Sequence, residues 1–162
     1  MVHVGIGYDV HQLVPGRPLI LGGVEIAHPL GLDGHSDADV LLHAITDALL
    51  GAIGEVDIGH LFPNTDPAWK NAASRLFLEE AARRIRARGG RIINIDASLA
   101  AERPKIFPHL AAMKTHIAAA LGIDLRKVGV KATTNERLGF IGREEGIAAM
   151  AVAAVDLPDV DE

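Results

Sequence analysis

Asp9 and His11 stand two residues apart in Gly7-Tyr8-Asp9-Val10-His11, and His43 closes the run Gly34-His35-Ser36-Asp37-Ala38-Asp39-Val40-Leu41-Leu42-His43. In an extended segment, residues i and i+2 project from the same face, so Asp9 and His11 can hold one ion between them. His43, arriving from a helix, supplies a third donor. Two imidazoles and a carboxylate with a fourth position open is the donor set of a catalytic zinc rather than a structural one, and its chemistry is that of a Lewis acid. Cysteine is absent, so any such metal is held by nitrogen and oxygen. An Asp-x-His pair also arises by chance, and a helical histidine is commonly a hydrogen-bonded or surface residue. The reading therefore turns on the rest of the chain.

Three further polar clusters interrupt the apolar pattern: Asp57 to Asp66, Ala101 to Phe107, and Ala132 to Phe140. Each falls at a strand end or a helix start, where outward-facing amides bind anions, and phosphate is the natural ligand class. Each also has a plainer reading. The first can be an ordinary turn-rich loop, Thr133-x-x-Glu136 matches a helix capping box, and Lys105 after Pro104 can be an exposed residue at a helix start. Arg83, Arg84, Arg86 and Arg88 sit at the negative end of a helix stopped by Gly89-Gly90, which reads as dipole compensation and not as an anion site.

These residues need elements to position them. Val2 to Leu13 predicts a strand, and Pro18 to Leu21 with Val24 to Ala27 predicts a hairpin turning at Gly22-Gly23. Leu30 to Asp33 reads as loop. Ser36 or Asp37 caps a predicted helix from about Ala38 to Ile53, on which Asp39, His43 and Asp47 share a face. Asp47 there is placed to accept from an imidazole, with surface polarity as the plainer alternative. A second helix is expected from about Ala68 to Arg88 and a third from Ile106 to Leu121, with strands at Arg91 to Ala101, Val128 to Ala132 and Ile147 to Val155. The last strand is small and apolar throughout, as expected of one buried on both faces by helices or by another subunit. No repeat is present, and the alternation of strands and helices predicts a single α/β, or layered α+β, domain over residues 1–156 with a short acidic tail, 157–162, the acidic end from Asp156 to Glu162 being expected to fray.

With 16 basic residues against 21 acidic ones, the net charge is −5 and no dense basic run exists, which argues against a nucleic-acid partner. The start lacks a leader-like pattern and no apolar run reaches spanning length, so no membrane association is expected and a cytoplasmic location is the simplest reading.

Taken in order along nearly the whole chain, the motifs Gly7-Tyr8-Asp9-Val10-His11, Gly34 to His43, Asp57-Ile58-Gly59, Phe62-Pro63, Thr65-Asp66-Pro67, Thr133-Thr134, Glu136, Leu138-Gly139-Phe140 and Gly142-Arg143 resemble the 2-C-methyl-D-erythritol 2,4-cyclodiphosphate synthase family. The resemblance implies a mixed sheet covered by helices, a homotrimer with active sites between subunits, and a zinc ion on Asp9, His11 and His43. It implies a second divalent cation, Mg2+ or Mn2+, on Glu136, and transition-state stabilisation by His35 and Thr134. Positions matching the family's substrate contacts are Asp9, Val10, His11, His35, Ser36, Asp57, Ile58, Gly59, Phe62, Pro63, Asn64, Thr65, Asp66, Phe140 and Arg143, with Asp57 and Gly59 on the methylerythritol portion. Those matching the cytidine diphosphate side are Ala101, Glu102, Arg103, Pro104, Lys105, Ile106, Phe107, Thr133, Thr134, Asn135 and Glu136. Tyr8, Arg143 and Glu145 match a cavity on the trimer axis. Asn64 stands where the family usually has Asp, which removes a charge and predicts a modest change in affinity.

The implied reaction is cyclisation of 4-diphosphocytidyl-2-C-methyl-D-erythritol 2-phosphate with loss of CMP, in the non-mevalonate isoprenoid pathway. It needs no activated Ser or Cys, because the substrate's own 2-phosphate is the nucleophile and the protein has to position it. The competing readings are a zinc phosphohydrolase using a metal-bound water and a non-catalytic binder of isoprenoid phosphates.

Overall fold

The computed structural model describes residues 1–63 and 65–159. Five strands form one mixed sheet in the order β4-β1-β7-β5-β6: β1 (Val2–Pro15), β4 (Leu30–Leu32), β5 (Arg91–Ala100), β6 (Val128–Thr133) and β7 (Gly146–Asp156). Among the described residues only β5 and β6 run parallel, and β2 (Leu19–Leu21) and β3 (Val24–Ile26) form the separate hairpin expected at Gly22-Gly23. The helices are α1 (Val40–Ala52), α2 (Ile58–Leu61), α3 (Arg75–Ala87), α4 (Leu110–Leu121) and α5 (Gly139–Gly142). Among the described residues, no helix is long and apolar enough to cross a membrane.

α1 is almost wholly buried and lies across β1 and β7, with α3 and α4 extending the layer over β5 and β6. Its approach to β1 is close because Gly5 and Gly7 carry no side chain. A Cβ on Gly5 would lie 2.0 Å from the Ala48 carbonyl oxygen, and one on Gly7 would lie 1.9 Å from that of Ala44. Asp39 caps α1, in place of the predicted Ser36 or Asp37. Its carboxylate accepts from Leu42 N and also from Gly22 N and Gly23 N, tying the hairpin to the helix start. Burial pushes the Asp39 carboxyl up to about 6, against the opposing pull of these amides.

Three sequence expectations need correction. Leu30–Leu32 is a strand and not a loop, because it pairs with Leu13–Pro15 across the chain, a long-range bond that local propensity does not show. The second helix begins at Arg75 and not near Ala68. Pro67–Trp69 forms a 3₁₀ turn, Asn71 has φ +59°, and Asn71 N and Ala72 O bond to His35 O and Asp37 N instead of to a helix. The expectation of frayed residues after Val155 fails at Asp156 and Leu157, which bind Arg91 and the chain's amino terminus. Residues 160–162 of the acidic tail lie outside the described residues.

Helices cover one face of the sheet only. The other face exposes Val4, Ile6, Tyr8 and Val10 from β1 beside Met150 and Val152 from β7, with Ile6 at 73% exposure and Met150 at 55%. β7 is thus buried on one face within this chain and, at Met150 and Val152, bare on the other.

Candidate metal centre

The alternation of β1 turns Asp9 and His11 toward the helical layer, and α1 turns His43 back toward them. Asp9 Oδ2 is 2.9 Å from His11 Nε2 and 2.9 Å from His43 Nδ1, and the two ring nitrogens are 3.2 Å apart. A tetrahedral ion with bonds of ~2.05 Å sets its donor atoms ~3.3 Å apart, so this triangle is of the right size for zinc. Its chemistry fits as well. His11 Nδ1 lies 2.6 Å from the Asp33 carbonyl, which only accepts, so Nδ1 carries the proton and Nε2 turns a lone pair toward an anionic oxygen. Two acceptors that face each other at this distance are reconciled by a cation.

The electrostatics agree. Burial acts to raise Asp9, but the facing His11 and His43 rings, which favour its charged form, outweigh that and hold the carboxyl at about 2. Burial acts to lower His11, and the neighbouring Asp9 carboxylate outweighs it, so His11 is raised overall. The pull that favours a proton at this point also favours a divalent ion, and the two compete. Asp9, His11 and His43 are the one cluster of this kind among the described residues.

On its far side His43 Nε2 meets Ser74 Oγ at 2.8 Å and Ser36 Oγ at 3.2 Å. Asp47 does not orient an imidazole, as its place on the helix face predicted: its Oδ1 accepts from Ile58 N at 2.8 Å. Asp47 therefore anchors the loop that begins α2. Burial raises its carboxyl, with the Ile58 amide pulling the other way.

That loop walls a cavity of about 240 Å³ whose lining includes His11, His35, Ser36, His43, Ile58, Gly59 and Phe62. Phe62 packs against Trp69 and Phe77 at ring separations of 4.9 and 4.5 Å, giving the cavity one aromatic side. His35 Nε2 lies 3.2 Å from the Asp66 carbonyl, and Asp57 is engaged locally, accepting from His60 N at 3.0 Å as the cap of α2. Asp66 caps the 3₁₀ turn through Ala68 N at 2.9 Å, with Asp66 N bonded to Pro63 O, and Thr65 is exposed beside them. Asn64 lies outside the described residues.

The remaining predicted residues lie elsewhere. Val10, Phe140 and Glu145 border a separate depression on the other side of His11. Arg143 and Glu145 form an exposed ion pair at 2.9 Å, and Tyr8 lies on the bare sheet face. Ala101, Glu102 and Pro104 to Phe107 gather with Thr133 and Thr134 in a groove at the β5–β6 end, where Ile106 is buried and Phe107 is 83% exposed, and Arg103 lines an adjoining depression with Glu102, Thr134 and Arg137. Register keeps this groove away from the metal candidates. Val10, Ala148, Ala100 and Thr133 occupy one row across four strands, about 14 Å at three strand spacings. The predicted capping box at Thr133-x-x-Glu136 does not form. Glu136 and Arg137 have φ +50° and +63°, Thr134 Oγ1 accepts from Glu136 N at 3.3 Å, and Glu102 accepts from Asn135 N and Arg137 N. Helix α5 starts only at Gly139.

Sequence reasoning missed Ser74, the Asp33 carbonyl and Arg17, whose guanidinium binds the carbonyls of Gly34 and Ser36 at 2.7 and 2.6 Å and fixes the His35 loop. Ser74 alone left a signal, as a helix-start residue inside what reads as continuous helix.

Comparison with known proteins accords with this geometry. The family model described as the YgbB family matches residues 2–156. A 2-C-methyl-D-erythritol 2,4-cyclodiphosphate synthase of Bordetella petrii is 61% identical over 150 residues, covering 93% of each chain. The bifunctional enzyme IspD/IspF of Sphingopyxis alaskensis is 59% identical over 156 residues, and this chain spans 96% of itself but 40% of that protein. The structure titled "IspF (Plasmodium falciparum) CDP complex" superimposes with a TM-score of 0.86 at 34% identity, covering 98% of this chain and 97% of that one. With the family model spanning both the metal candidates and the groove at the β5–β6 end, the chain belongs to the YgbB family, among the 2-C-methyl-D-erythritol 2,4-cyclodiphosphate synthases.

Proposed function

We propose that this chain cyclises 4-diphosphocytidyl-2-C-methyl-D-erythritol 2-phosphate to 2-C-methyl-D-erythritol 2,4-cyclodiphosphate with release of CMP, as a zinc-dependent cytoplasmic homotrimer. The observation that carries the reading is the donor triangle of Asp9, His11 and His43 opening into a cavity with one aromatic side. The CDP complex of the Plasmodium falciparum relative supports a cytidine nucleotide as the ligand class.

Asp9, His11 and His43 would hold the zinc ion, which supplies Lewis-acid polarisation of a phosphoryl oxygen. Glu136 would hold a second divalent cation, Mg2+ or Mn2+. Ile58, Gly59 and Asp57 seat the methylerythritol portion beside the aromatic wall, so that the 2-phosphate, already anionic, is held in line with the β-phosphorus. His35 and Thr134 stabilise charge on the reacting phosphates. Within one chain the cytidine groove and the metal candidates are about 14 Å apart by strand spacing. A complete site is therefore built when the groove of one copy meets the metal centre of another, and the bare apolar sheet face is the surface along which copies associate. Tyr8, Arg143 and Glu145 then lie toward the shared axis.

The test is product analysis by phosphorus NMR after incubation with the cytidyl substrate, zinc and Mg2+. Cyclic diphosphate with equimolar CMP is expected, and a fall in turnover of roughly 1000-fold or more in His43→Ala. Linear phosphates would establish hydrolysis instead, and prenyl diphosphate binding without turnover would establish a binding role.

A further inference from the structure

His43 has one nitrogen facing the metal position and one that must be held. The held atom, Nε2, lies 2.8 Å from Ser74 Oγ, and Ser74 is completely buried. Ser74 Oγ in turn makes a short contact with Asp37 Oδ1, and Asp37 Oδ2 accepts from Ser74 N at 3.0 Å. A carboxylate accepts and cannot donate, and a serine hydroxyl has a single proton. That proton goes to Asp37, so Oγ is left to accept, and the partner that can donate to it along this line is His43 Nε2–H; the other ring nitrogen, Nδ1, faces Asp9 Oδ2 at 2.9 Å, the position at which a proton and a divalent ion compete. Ser36 Oγ does not change the assignment. It accepts from Ala38 N at 3.1 Å and has Ser74 Oγ at 3.4 Å as an outlet for its own proton.

We propose that Asp37 and Ser74 are positioning residues that fix His43 as its Nε2–H tautomer and so aim the Nδ1 lone pair at the metal. The proposal rests on the reading of Asp9, His11 and His43 as ligands. It assigns the role to a pair 37 residues apart in the chain, neither of which reaches the ion, and takes it from Asp47, the acidic residue sharing a helix face with His43. Both oxygens of Asp37 grip Ser74, one on the hydroxyl and one on the main-chain N–H, so the acceptor presented to Nε2 has no freedom to rotate away. An imidazole whose far nitrogen is held by such a chain is also a stronger donor.

Two measurements test this. Long-range proton–nitrogen NMR of the zinc-free protein at about pH 8, above the ordinary histidine range, should show His43 as the Nε2–H tautomer, and Ser74→Ala should shift it toward Nδ1–H. Zinc affinity by competition with a chromophoric chelator should fall roughly 10- to 100-fold in Ser74→Ala and in Asp37→Asn. A wild-type His43 whose proton sits on Nδ1 with Nε2 bare overturns the proposal, as do two variants that bind zinc within about two-fold of wild type. The NMR readout uses no metal. A wild-type chain with the Nε2–H tautomer but no affinity for zinc would overturn the ligand reading and uphold the tautomer assignment.

Discussion

At the scale of single residues, the metal candidates are held from behind by groups that do not resemble ligands: a carbonyl behind His11 and a hydroxyl behind His43. Asp47 belongs to a different function. It fixes the start of α2 through Ile58 N, and Ile58 and Gly59 line the cavity. In Asp47→Asn, the amide can turn its oxygen or its NH2 toward Ile58 N–H, and the charge that holds the loop is lost. Steady-state kinetics should show KM for the substrate raised roughly 3- to 10-fold, the loss of about 1 kcal/mol expected of a hydrogen bond to a charged acceptor, with zinc affinity unchanged. A matching loss of zinc would restore Asp47 as a support for His43. Asp9, His11 and His43 were legible because each declares its chemistry by type and by the period of its element. Ser74 was not, since a buried serine announces nothing until the segment 71–74 is seen lying against residues 35–37.

At the scale of elements, the contact between β1 and α1 sets the spacing of the ligands. Gly7 precedes Asp9 by two residues and touches the carbonyl of Ala44, next to His43. Gly7→Ala would drive a methyl group into main chain that cannot rotate aside. The expected cost is about 3 kcal/mol or more, at the upper end for overpacking, read as a fall in thermal midpoint with a parallel loss of zinc affinity. A variant of wild-type stability would show that the helix can slide. The strands β1, β5, β6 and β7 and the helix α1 were legible from alternation and apolar runs, because their local pattern and their burial agree. β4 and the late start of α3 were not. Both are decided by hydrogen bonds to segments distant in sequence, Leu13–Pro15 in one case and His35–Asp37 in the other.

At the scale of the molecule, the sheet is half covered. Ile6, Tyr8 and Val10 on β1 with Met150 and Val152 on β7 form an apolar surface of the kind that marks an association site. Ile6 is too exposed for its replacement to disturb the core, so Ile6→Asp should fold normally, sediment as a monomer and bind zinc, yet lose nearly all cyclising activity. Full activity in a monomer would place the whole reaction within one chain. The family resemblance implied the trimer, whereas composition and periodicity gave only a strand apolar on both faces, because an apolar sheet face has the same residue types whether it is covered by helices or left exposed. Main chain alone separates Gly7 from Ala44, so the distance between the two ends of the metal site is set there by no side chain's length. The gauge that spaces the two ends of the metal site is made of main-chain atoms, and it keeps its length only while residue 7 carries no side chain.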